Sequence, residues 1–305
     1  MISGKNGFLS KYIRWEKTKF WTRHEKVQQA EPTEDVSNLD GRLHAVLFNA
    51  IKGRFSIELA NVYDALIYAG ASDSDISILQ DDGKPAIIRS SGTQNRFVDG
   101  PATLGGLESA VDSIRQRANS NDRLFVYVTN EGNLVNFQSL VKSCNGSISE
   151  KQFEQIMQDL PVNFGLFYFT QCFGGGFAER MGYGRNIGMS IASRNETSRA
   201  SGDSSVGNYF TYRLLDFIAK PGVTIGSAFD STVNNTYCET CRKIFEIDNG
   251  DPFWMLPPMT PLQEVPQLRW QNADPSQLYL GQNAALATSK GKEIIKRAYL
   301  TLISR

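Results

Sequence analysis

The sequence predicts an α/β fold: a three-layer α/β/α sandwich around a mostly parallel sheet of about six strands. Three observations carry that reading. The runs LHAVLFN (43–49), LFVYV (124–128) and FGLFYF (164–169) are apolar without polar alternation. That is the composition of strands covered on both faces. Between them lie stretches whose apolar residues recur at helical spacing. The two patterns alternate along the chain, as they do in a sheet packed between two helical layers.

The elements follow in order. Leu43–Asn49 is the first strand. Residues 57–68 carry Leu59, Val62, Tyr63, Leu66 and Ile67 on one helical face, and Gly70 closes that helix. Ile76–Leu79 is a second strand, ended by Asp81-Asp82-Gly83. Thr103 caps a helix running to Ala118, with Leu107, Val111 and Ile114 as its stripe. Leu124–Val128 is the third strand. Ser149 opens a helix to Leu160, and Phe164–Phe169 is the fourth strand. Ile187–Ala192 is a fifth strand, residues 208–219 form a helix, and another covers 225–247. A last helix spans 291–303.

Around this domain, read as 39–249, lie two different segments. Residues 1–38 are a basic arm and polar linker in which Phe8, Leu9, Tyr12, Ile13 and Phe20 fall near one helical face among lysines and arginines. The reading favoured is a helix docked on the body or a partly ordered arm; the alternative is a helix lying on a membrane or a partner. Residues 250–305 begin with a proline-rich stretch and lack the apolar periodicity of an independent core, so they are read as an extension packing on the domain.

Charge excludes some functions. Lys+Arg and Asp+Glu are both 32, so the chain lacks the basic excess of a nucleic-acid binder. No apolar run has membrane-spanning length, and the N-terminus lacks a secretory h-region, so a cytoplasmic protein with reduced cysteines is expected. In that setting the sequons at Asn145, Asn195 and Asn234 carry little weight.

The run FYFTQCFGGGF (167–177) ends a buried strand in Cys172 and continues at once into glycines. A strand of a parallel sheet ending in a cysteine and a glycine turn exposes a nucleophile at the carboxyl edge, where sites of such sheets lie. The three glycines read as an opening for a ligand. The third strand ends in Thr129-Asn130-Glu131-Gly132, so Glu131 and Cys172 share that edge.

Taken in order, LFVYVTxxG (124–132), FTQCFGG (169–175), ASRNETS (192–198) and YFTY (209–212) resemble the caspase/legumain group of cysteine peptidases. The legumain-like branch and the bacterial caspase-like proteins are nearest. The resemblance covers roughly residues 42–245. It implies a caspase-like fold, a peptide or protein substrate and no metal or cofactor. It places the nucleophile at Cys172 and the oxyanion-binding N–H groups at Gly132 and Cys172. It implies that Ser193, Asn195 and Glu196 line the pocket for the residue before the scissile bond. The family's histidine corresponds to position 131, about 40 residues upstream of the cysteine, close to the roughly 50 of caspases.

Here that position holds Glu131. A carboxylate beside a thiol disfavours the thiolate, and an ionised carboxylate brings no proton to a leaving amine. Losing one member of a catalytic unit costs orders of magnitude in rate. Rescue requires a buried, protonated Glu131 acting as general acid. Of the two histidines, His44 starts the first strand, at the opposite edge, and reads as structural, whereas His24 lies in the arm and reaches the site only if that arm folds across the edge. Cys238 and Cys241, one helical turn apart, read as core cysteines rather than a zinc or redox pair. Residues 203–208 read as a loop at the site's edge. The sequence therefore points first to a weakly active or peptide-binding pseudopeptidase. The alternatives are an active cysteine endopeptidase using Cys172 with Glu131 or a remote histidine, and an interaction protein recruited through its basic leader.

Overall fold

The structure, a computed structural model, describes residues 41–51, 55–84, 87–91, 94–198, 208–220, 222–233 and 266–280. The basic arm with His24, the cysteines Cys238 and Cys241, and the helix expected at 291–303 lie outside the described residues.

Eleven strands and five α-helices are assigned among the described elements: β1 Leu43–Asn49, α1 Ser56–Tyr68, β2 Ile76–Gln80, β3 Ile87–Ser91, β4 Gln94–Phe97, α2 Leu104–Arg117, β5 Arg123–Val128, β6 Gly132–Val135, β7 Gln138–Ser143, β8 Gly146–Ser149, α3 Glu150–Met157, β9 Phe164–Phe169, α4 Gly175–Met181, β10 Ile187–Ser190, α5 Tyr209–Ile218 and β11 Gln267–Trp270. Residues 225–233 are also helical.

The main sheet has the order β11-β10-β9-β5-β1-β2. All its pairs are parallel except β10–β11. It is thus a mostly parallel six-stranded sheet, as the apolar runs imply. Every residue of β1, β5 and β9 is buried, which is why their sequences lack polar alternation. The edge strand β11 comes from the proline-rich extension and pairs antiparallel with β10.

Two cores flank the sheet, an arrangement compatible with a three-layer sandwich. On one face Leu59, Val62 and Leu66 of α1 and Phe210, Leu214 and Ile218 of α5 meet Leu47, Tyr127, Leu166 and Tyr168. On the other, Val111 and Ile114 of α2, Phe153 of α3 and Phe177 of α4 meet Val46, Val126, Phe167 and Phe169. Phe153 stands edge-on to Phe167, Phe169 and Phe177, with ring centroids 6.5, 5.3 and 5.7 Å away. Such pairs add about 0.5–1.5 kcal/mol each beyond area burial. They brace the end of β9, from which the cysteine segment departs.

Helix starts follow their caps. The side chains of Thr103, Ser149 and Asn208 accept from the N–H groups of Gly106, Gln152 and Thr211. Ser149 and Gln152 form a reciprocal capping box.

At the amino edge of the sheet, His44 is fully buried between two aspartates. Its Nε2 lies 3.2 Å from Asp122 Oδ2 and its Nδ1 3.4 Å from Asp75 Oδ1. Asp122 also accepts from the N–H groups of Arg42 (2.7 Å) and Asn119 (3.0 Å). Burial by itself would push the Asp122 carboxyl up, but those N–H groups and the His44 ring outweigh it and hold its value below the ordinary one. Its contribution to stability is therefore complete above about pH 4 and is lost as pH falls through the depressed folded value. Asp122→Asn should lower stability at pH 7 by about 1–3 kcal/mol and flatten the acid loss below about pH 4. Urea unfolding at both pH values checks this; parallel curves for the two proteins would remove Asp122 from the acid response.

Candidate functional site

The carboxyl edge of the sheet collects the segments after β1, β5, β9 and β10. Chain order reverses about β1 and β5, since β2 lies to one side and β9 to the other. Crevices for ligands form at such reversals.

Beyond Phe169 the chain keeps one more contact with β5: Thr170 N–H donates to Val128 O at 2.9 Å. It then turns sharply through residues 171–174 into α4. Cys172 sits in this turn and is half-buried. Phe173 takes φ +59°, a left-handed conformation that costs a non-glycine residue about 1 kcal/mol or more. It is held there by its N–H, which donates to Glu196 O at 2.7 Å. Among the described residues, no protein acceptor meets the Cys172 N–H.

The glycines after Cys172 do not leave room for a ligand. A side chain on Gly175 would meet the Arg194 N at 2.4 Å, and one on Gly176 would meet Ser139 Oγ at 2.1 Å and Glu150 Oε2 at 2.2 Å. Both positions belong to α4 and are packed against other parts of the protein. The reading of an open backbone is therefore corrected to one of close internal packing.

Gly132 starts β6, in the β6-β7-β8 meander beside the site. An added Cβ there would lie 1.9 Å from the Cys172 carbonyl oxygen and 2.9 Å from Gln171 Cγ. The glycine thus lets the end of the β5 segment and the cysteine turn touch through their backbones. Glu131, one residue earlier, is paired: its side chain is 65% exposed and its Oε2 accepts from Lys142 Nζ at 3.0 Å. Lys142 N–H donates to Glu131 O, and Asn130 Oδ1 accepts from Glu131 N–H. The burial required for Glu131 to act as a protonated acid is not met.

The segment 193–198 covers the cysteine turn from the other side. Ser193 N–H donates to Glu196 Oε2 at 3.1 Å, and Glu196 N–H returns to Ser193 O at 3.2 Å. The Glu196 carboxylate is thereby used to shape its own loop, and Asn195 is exposed. Ser198 reaches the thiol: its N–H lies 3.3 Å from Cys172 Sγ, and its hydroxyl and carbonyl oxygens lie at 3.7 Å.

Two residues not anticipated from the sequence organise this edge. Arg194 donates through Nη1 to both oxygens of the buried Glu150 (2.8 and 2.9 Å) and to Phe137 O, and through Nε to Glu179. It ties the 193–198 segment to α3, α4 and the tip of the β6–β7 hairpin. Glu58, in the first turn of α1, is 1% exposed. Its Oε2 accepts from Tyr127 Oη (2.7 Å) and Thr129 Oγ1 (2.6 Å), and its Oε1 from Asn208 N–H. Burial, then the nearby Glu58 charge, push the Tyr127 phenol well above its ordinary value, so it remains a donor. The chain reversal is thus filled by a satisfied carboxylate joining α1, β5 and α5.

His44 lies at the far edge, as its place in β1 requires, and takes no part in the site. Among the described residues no cluster of histidine, cysteine or acidic groups could hold a metal ion. No described helix is long and apolar enough to cross a membrane. Neither a family model nor a curated protein matches this chain.

Proposed function

We propose that the chain is a caspase/legumain-like cysteine-peptidase homologue that binds a peptide or protein at the carboxyl edge of its sheet and hydrolyses it weakly or not at all. One observation carries this reading. The cysteine turn is retained beside Gly132 and under Ser198, whereas the residue in the histidine position, Glu131, is exposed and paired with Lys142. The mostly parallel six-stranded sheet with helices on both faces is compatible with the scaffold that the sequence resemblance implies and supports the reading to that extent. In this reading Cys172 is the vestigial nucleophile, Gly132 and Cys172 offer the backbone N–H groups for a carbonyl oxygen, and Ser193, Asn195 and Glu196 border the ligand. Among the described residues only Ser198 bonds the thiol, and neither a base for its proton nor an acid for the leaving amine is in contact with it, so in this reading both chemical steps lack their catalyst.

The test is labelling by a fluorescent peptide chloromethyl ketone across a pH series, alongside cleavage of a peptide library. Weak labelling and no cleavage are expected of the unmodified protein, and Glu131→His should raise labelling at pH 7 by about 10- to 100-fold. The gain should vanish in the double variant with Cys172→Ala. Efficient cleavage by the unmodified protein, abolished in Cys172→Ala, would overturn the pseudopeptidase reading and leave an active endopeptidase.

A further inference from the structure

Ser198 is the one residue seen to touch the Cys172 sulfur through hydrogen-bonding groups among the described residues, and it does so with three of them: N–H at 3.3 Å, hydroxyl at 3.7 Å and carbonyl at 3.7 Å. These groups ask different things of the sulfur. The carbonyl accepts only from a neutral thiol, whereas the N–H and the hydroxyl can both donate to a thiolate. The nearest of the three is a donor, and donors outnumber the acceptor two to one.

The contact is built rather than incidental. Glu196 O, two residues earlier, is bonded to Phe173 N–H at 2.7 Å, one residue beyond the cysteine. The loop is anchored again by Arg194 on Glu150 and Glu179. The charged groups on the segments packed around the turn are otherwise engaged. Glu131 is paired with Lys142, the Glu196 carboxylate accepts from Ser193 N–H, Arg194 holds Glu150 and Glu179, and Arg180 holds Glu150 and Glu154.

We infer that Ser198 is the positioning residue that governs the reactivity of Cys172, its N–H and hydroxyl holding the sulfur. This rests on the reading of Cys172 as the nucleophile position and extends it. The N–H supports the sulfur in either protonation state, and the hydroxyl can turn to donate when the proton leaves. The thiolate, its proton lost to water, adds to a carbonyl carbon of a bound ligand; the S–C bond forms as the C=O π pair becomes an alkoxide that takes a proton from water, and Ser198 supplies no proton to expel an amine. Such a site favours covalent capture over turnover.

The experiment is the rate of iodoacetamide alkylation of the full chain from about pH 5 to 10, read at Cys172 by peptide mass mapping so that Cys144 is resolved from it. Ser198→Ala keeps the N–H and removes the hydroxyl. Its half-maximal rate should move to higher pH, with alkylation at pH 7 slower by about three- to tenfold and the same plateau at high pH. Ser198→Thr should restore the profile of the unmodified protein. A loop merely loosened by the substitution would raise the rate at every pH without moving the midpoint, and that result overturns the inference. An unchanged profile in Ser198→Ala overturns it too, leaving Cys172 as nucleophile. No alkylation of Cys172 at any pH in the unmodified protein removes both readings together.

Discussion

Gly132→Ala will lower the stability of the protein by about 1–3 kcal/mol and displace the Cys172 turn. The added methyl carbon would sit 1.9 Å from the Cys172 carbonyl oxygen, far inside van der Waals contact, and 2.9 Å from Gln171 Cγ. Neither neighbour can yield cheaply. Gln171 is fully buried, and the Cys172 carbonyl is held by a turn whose next residue is strained and bonded to Glu196. The clash must open the seam between the β5 extension and the cysteine turn. Two measurements check it: the guanidinium unfolding midpoint, and chloromethyl ketone labelling at Cys172, which should change as the turn is displaced. A variant with unchanged midpoint and labelling would show that the two segments are not in backbone contact.

Glu58→Ala is the more damaging change, with an expected loss of roughly 3–5 kcal/mol. It strips one acceptor from three buried donors: the Tyr127 phenol, the Thr129 hydroxyl and the Asn208 N–H. Each donor left unsatisfied costs about 1–3 kcal/mol. Set against a total stability of about 5–15 kcal/mol, that loss brings the protein close to unfolding. Glu58→Gln should cost less, because one amide oxygen still accepts from two of the donors. Urea denaturation of both variants ranks them, and a cost below about 1 kcal/mol for Glu58→Ala would show that the donors find other acceptors.

These effects divide between what local patterns carry and what they omit. Strands β1, β5 and β9 were legible because burial on both faces leaves an unbroken apolar run. Helix starts at Thr103, Ser149 and Asn208 were legible because each is preceded by a side chain that can cap the first turn. The β6-β7-β8 meander was not. Its strands are four to six residues long, and its first turn is Asn136-Phe137, both at positive φ, without the glycine that usually marks such a turn. Nor was β11, a four-residue strand in the proline-containing extension that is defined by its antiparallel pairing with β10. Helix α4 opens with glycines and lasts seven residues, so its composition argued for a loop.

The site shows the same division. The sequence by itself determined that a cysteine ends the β9 segment, that a glycine follows position 131, and that position 131 holds a carboxylate. It could not decide what the side chains do. Glu58 in a first helical turn looks like an ordinary surface acid favoured by the helix dipole, yet it is the buried link between elements 150 residues apart. The glycines after Cys172 suit ligand approach and close packing equally well in sequence; only Ser139, Glu150, Ser193 and Arg194 pressed against them settle it as packing. Glu131 is turned to Lys142 and Cys172 to Ser198 by strand pairing that brings distant segments side by side. Residue identity and local spacing are properties of one stretch of chain; direction, burial and partnership arise only when the sheet aligns several, and at this site those three decide the chemistry.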